Sequence, residues 1–184
     1  CKTLTKDYTV VTSKGEIEFE LHYQKNQKSY LKEVQKILAT DISGITDYFG
    51  YIPQGAVHIR FNDFNDPNGL ATVFPRNLIE LNLYPPVGRG YLSSSRDWFR
   101  AVLVHEYIHI LHMDKTEGAL KWLRYLLGST VKWNGIAPRW FSEGIAVWAE
   151  SYFTGEGRLK NPYLRAHLQG LLIDKSICKD LSCL

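Results

Sequence analysis

Residues 101–114 read AVLVHEYIHILHMD, and this stretch decides the fold. His105 and His109 stand four residues apart, with Glu106 directly after the first. Val102, Leu103, Val104, Ile108, Ile110 and Leu111 surround them. An α-helix turns once in 3.6 residues, so the two histidines share a face, one turn apart, where both imidazoles can hold one Zn²⁺. Glu106 then lies beside the open coordination position. There it can take a proton from zinc-bound water and pass it to a leaving amine. A His-Glu-x-x-His match arises by chance in about one of a hundred shuffled chains of this composition, so the spacing needs support. The apolar wrapping supplies it. A helix apolar on all sides is buried, and two buried imidazoles need partners.

A catalytic zinc needs a third protein ligand. His112 shares the face of His105, but the rise between them is about 10 Å, too far for one ion. A metzincin places its third histidine six residues after the second, and that position here is Lys115. The better candidate is Glu143, in the run WFSEGIA at residues 140–146. A second helix carrying Glu143 closes the site from across the core. Its neighbours Trp140, Phe141, Ile145 and Trp148 predict a buried carboxylate with a purpose. Gly144 and Ala146 are small enough to bring the two helices close.

The rest of the chain fits one domain around this pair. A length of 184 residues suits about one domain. Apolar residues at 45% and charged residues at 22% exclude disorder. A net charge of +3 is too mild for a nucleic-acid partner. No apolar run is long enough to span a membrane. Residues 16–23 alternate, with Ile17, Phe19, Leu21 and Tyr23 on one face, and predict a half-buried strand. Residues 29–49 carry helical spacing, interrupted near Ser43-Gly44. Residues 56–61, 71–74 and 78–83 read as strands. Residues 62–69 form a polar loop in which Asp63 and Asp66 lack EF-hand spacing and read as a solvated turn. Helices follow: one after a cap at Ser93, Ser94 or Ser95 with Asp97 in its first turn, one at 120–127, one opened by Pro138 and one over 162–173. The fold class is α+β, with a strand-rich upper lobe at 1–91 and a helical lower lobe at 92–184, together a single domain 1–184.

Three cysteines are too few for a disulfide framework. Cys178 and Cys183 can bridge in an oxidising compartment. Cys1 at the start fits either a lipidated lipoprotein terminus or a boundary within a longer chain. The 120–127 helix, with Trp122, Tyr125 and two basic residues, fits packing over the site or against a partner better than a membrane interface, while a lipidated Cys1 would favour membrane association.

His105-Glu106-x-x-His109 followed by Pro138-x-Trp140-Phe141-x-Glu143-Gly144-x-Ala146 resembles the gluzincin zinc metallopeptidases, which have a thermolysin-like catalytic core. The likeness is closest to small bacterial peptidase-MA-like domains. Residues 103–157 carry nearly all of it, with the adjoining Thr154-Gly155-Glu156-Gly157-Arg158. The resemblance implies His105, His109 and Glu143 as zinc ligands and Glu106 as general base. It implies a peptide or protein substrate paired along an edge strand, for which residues 78–83, starting at Leu78 and ending at Leu83, are the candidate. It also implies an extracytoplasmic setting in a bacterium.

Two positions depart from the family. Thermolysin-like enzymes have an acid four residues after the ligand Glu, holding a zinc histidine, and here that position is Val147. Glu150, Asp114 or a backbone carbonyl are the substitutes. No Tyr lies shortly before Glu143 to stabilise an oxyanion, which leaves Tyr152, His167, Arg139 and Asn134 as candidates. The expected function is a zinc-dependent metallopeptidase, an endopeptidase since no Gly-x-Met-Glu-Asn-like anchor precedes the helix. The alternative is a zinc-keeping, non-catalytic domain that binds peptides or envelope proteins. A helical interaction domain without zinc ranks third.

Overall fold

The computed structural model describes residues 2–63, 68–84, 97–116, 118, 122, 134 and 137–174. Two sheet strands open the chain, β1 (Leu4–Thr12) and β2 (Gly15–Tyr23), paired antiparallel. A helical crossover follows: α1 (Lys28–Ile37), a π-helical turn (Leu38–Ile42) and α2 (Ser43–Phe49). The chain then returns to the sheet with β3 (Val57–Asn62), β4 (Gly69–Thr72) and β5 (Leu78–Asn82). Then come α3 (Trp98–Asp114), α4 (Arg139–Thr154), a 3-10 turn (Arg158–Lys160) and α5 (Pro162–Asp174). The architecture is α+β, built on a five-stranded mixed sheet.

Sheet order is β1-β2-β3-β5-β4. β2, β3 and β5 run parallel, while β4 lies antiparallel to β5. This corrects the expected edge at residues 78–83. β5 is an inner strand, covered on one side by β3 and on the other by β4. Among the described residues, the sheet edge beside α3 is β4. A strand was expected here at residues 71–74, but which strand lies at the edge is set by sheet order, not by the segment.

The alternation read at residues 16–23 is present. Ile17, Phe19 and Leu21 are buried, and they join Val57, Ile59, Phe61, Ile79 and Leu81 on one sheet face. That face packs against Leu31, Val34, Leu38, Ile42 and Ile45 of the crossover and against α3. Within α3, residues 101–111 are buried without a break. α3 is therefore the central helix of the molecule, as its all-round apolar character demands. It starts later than expected. Asp97 is its N-cap, accepting from the Arg100 amide at 3.2 Å. Ser93, Ser94 and Ser95 lie outside the described residues, as do Asp66, Cys1, Cys178, Cys183 and nearly all of the 120–127 segment, of which only Trp122 is described.

α4 packs on α3 through Ala146 and Ala149, both fully buried. Gly144 does not serve that approach. It is exposed, and a Cβ there would meet nothing within 4 Å. Trp140, Phe141 and Trp148 are likewise partly exposed on the outer flank of α4 among the described residues. The expectation that they enclose Glu143 is thus corrected: Glu143 is half-exposed and opens into a cleft.

Candidate metal centre

Helix α3 brings His105 and His109 onto one face, and α4 brings Glu143 to meet them. His105 Nε2 lies 3.2 Å from His109 Nε2. Glu143 Oε2 lies 3.3 Å from His105 Nε2 and 3.6 Å from His109 Nε2. Donor atoms on a tetrahedral ion with bonds of about 2.0–2.1 Å stand about 3.3 Å apart, so the three atoms fit such an ion. Two imidazole nitrogens and one carboxylate oxygen suit a borderline cation better than calcium or magnesium.

The far side of each ring is also engaged. His105 Nδ1 lies 3.2 Å from Glu150 Oε2, and Glu150 is 1% exposed. A carboxylate only accepts, so Nδ1 carries the proton and Nε2 presents a lone pair to the cleft. Glu150 is itself anchored by the Arg158 amide at 3.1 Å. Of the three substitutes for the missing acid at Val147, the structure places Glu150 against the ring. Asp114 accepts instead from Tyr51 and the Gln54 amide at the end of α3. His109 Nδ1 lies 3.2 Å from Ser142 Oγ. His112 stands apart and packs edge-on against Phe141.

Glu106 is buried at the flank of the cleft. Burial pushes its carboxyl up to about 7. His105 opposes that rise, Glu143 adds to it, and Arg158 and the Ala71 amide of β4 oppose it. Burial, with His105 next, pushes His109 down to about 4. Both histidines and Glu106 line a cleft of about 400 Å³ with Glu143, Ser142 and the β4 residues Gly69, Leu70 and Ala71.

The four oxyanion candidates are placed differently. Tyr152 stacks on Trp148 on the outer aromatic face and does not line the cleft. Asn134 Nδ2 donates to the carbonyls of His112 and Lys115. Arg139 lines the cleft, with Nε 3.9 Å from Glu143 Oε1. The His167 side chain lies outside the described residues. Sequence reading missed two contributors. Arg158 lines the cleft beside His105 and Glu150, and β4 forms its upper rim. Arg158 had a signal in its place within the TGEGR run at 154–158, but nothing there tied it to the histidines.

No protein-family model matches the chain, and no curated protein matches it in sequence.

Proposed function

We propose that the protein is a zinc-dependent metallopeptidase of gluzincin type, with a thermolysin-like catalytic domain, cleaving within peptide or protein chains. One observation carries this reading: His105, His109 and Glu143 converge at ion-binding distances while Glu106 stands unligated in the same cleft. His105, His109 and Glu143 would hold the zinc, which supplies Lewis-acid polarisation of a carbonyl and of water when bound. Glu106 takes the proton of the attacking water and delivers it to the departing amine nitrogen. Burial raises the proton affinity of the Glu106 carboxyl, which suits it to take up that proton and hand it on. Glu150 holds His105 in the tautomer that leaves Nε2 free. The β4 edge is the natural rail for an extended substrate, because an edge strand offers unpaired backbone groups. Arg139 and Arg158 are the described cationic groups at the cleft that can face a developing oxyanion.

A second reading is a zinc-keeping domain that binds peptides or envelope proteins without cleaving them. The outward placement of Tyr152 and the structural use of Asn134 favour it, since both leave the oxyanion position to arginines. Zinc content and peptide cleavage, measured for the native chain and for Glu106→Ala, separate the two. The peptidase reading expects stoichiometric zinc in both proteins and cleavage only in the native chain, with a loss of about 10²-fold or more. Zinc in both and cleavage in neither supports the binding module. No stoichiometric zinc in a metal-replete preparation sinks both.

A further inference from the structure

The face of the sheet turned away from the core cluster carries a second group of metal-ligating side chains, away from the cleft. Glu20 and His22 come from β2 and His58 from β3. The parallel register sets Glu20 opposite His58 and His22 one diagonal step further. Phe19, Leu21 and Ile59 point into the core, so these three side chains leave the sheet on the other side. His22 Nε2 lies 3.0 Å from His58 Nδ1. Glu20 Oε2 lies 3.3 Å from His58 Nδ1 and 3.8 Å from His22 Nε2. The rings stack at 5.3 Å with 17° between their planes. As at the cleft, these separations bracket the spacing of about 3.3 Å set by a tetrahedral ion with short N and O bonds.

We propose that Glu20, His22 and His58 form a second metal site, which takes Zn²⁺ or a similar borderline divalent cation and staples β2 to β3. The donor set excludes calcium and magnesium as preferred occupants, since both favour all-oxygen shells. His22 is oriented from behind by Thr5 Oγ1, 3.3 Å from its Nδ1, a contact of the kind that fixes metal-binding rings. The rings are sheltered, at 19% and 13% side-chain exposure, so a bound ion is partly shielded from water. The neighbouring carboxylate Glu80 is engaged by Arg60 at 2.7 Å, which leaves Glu20 as the cluster's own acid. The role is structural. β2 and β3 are joined by the long crossover through α1 and α2, and an ion bridging them ties both ends of that crossover together. With no ion, the same atoms form a histidine–histidine hydrogen bond backed by Glu20, and that is the competing outcome.

Zinc titration of the full chain, read by bound equivalents after removal of free metal, tests the site. The native chain is expected to keep one equivalent more than the His22→Gln/His58→Gln variant. Equal zinc content in the two proteins overturns the site, whatever the cleft holds. Should the variant fail to fold, the native chain decides through the histidine ring signals in NMR. Zn²⁺ is expected to shift the signals of His22 and His58. Signals from both rings unmoved at saturating Zn²⁺ overturn the proposal.

Discussion

At the scale of single residues, two glycines leave the room that Glu106 in the cleft and Glu150 behind His105 occupy. A Cβ on Gly69 would come within 2.6 Å of Glu106 Cγ and 2.9 Å of its Oε1. No side chain fits there while Glu106 keeps its position. Gly69→Ala therefore displaces Glu106, the proposed base, and leaves the three proposed ligands in place. Misplacement of a catalytic group by about 1 Å costs up to about 100-fold, so kcat/KM should fall by about 10- to 100-fold with zinc content unchanged. Steady-state cleavage by a folded Gly69→Ala protein decides this, and full activity would remove the glycine from the account. Gly157 plays the same part for Glu150. Its φ is +90°, and a Cβ there would stand 2.7 Å from Glu150 Oε1. Glu150 in turn orients His105. Glu150→Gln should weaken zinc retention about 10- to 100-fold, the usual cost of losing such a partner. Glu143→Ala should weaken it far more, because it deletes a proposed ligand. Competition against a chelator ranks the two, and equal retention by the Glu143→Ala and native proteins would take Glu143 out of the site.

At the scale of elements, sequence pattern carried some distances and not others. Helix α3 and the Glu143 helix were legible because helical spacing fixes which residues share a face whatever the fold around them. The placement of Glu150 was not, since it depends on two turns of α4 lying against His105. Strand β1 was missed because only Val10 of its nine residues is buried, so it shows no clear alternation. The β4 edge was missed because strand order is a property of the sheet, not of the segment. The crossover helix shows a third kind of gap. Its interruption was expected near Ser43-Gly44, yet the backbone widens at the π turn Leu38–Ile42. That turn delivers Asp41 to Arg100, which donates to it twice, from Nε at 2.8 Å and Nη2 at 2.6 Å. Arg100 Nη1 also reaches the Thr154 carbonyl at the end of α4. One ion pair thus ties together the crossover, the start of α3 and the end of α4. Asp41→Asn leaves the part-buried Arg100 charge without its nearest counter-ion and should cost about 1–2 kcal/mol of stability. Urea unfolding measures this, and a change near zero would show the pair to be incidental.

At the scale of the whole molecule, the cleft sets stability against function, and pH exposes the conflict. Glu106 has a folded-state carboxyl near 7, above its ordinary 4.5. Folding therefore favours its protonated form. The stability this contributes is complete below pH 4.5 and is lost as pH rises through 7, by about 3 kcal/mol in all. His109 runs the other way. Its folded-state value near 4 lies below the ordinary 6.5, so its contribution is present above pH 6.5 and is lost as pH falls through 4. In the metal-free protein, Glu106→Gln removes the first dependence and keeps the second. The variant should be more stable than the native chain at pH 8, by up to about 3 kcal/mol, with the difference shrinking toward zero near pH 4.5. Urea unfolding in the presence of a chelator at both pH values reads this directly. A gain of equal size at the two pH values would show that packing, not charge, produced it. Zinc should narrow the gap at pH 8, because a nearby cation favours the ionised carboxylate, so the ion binds the native chain more tightly than the variant and stabilises it more. An acid that costs stability at pH 8 without metal and is relieved by a cation beside it is the arrangement expected of the proposed general base and not of a packing residue.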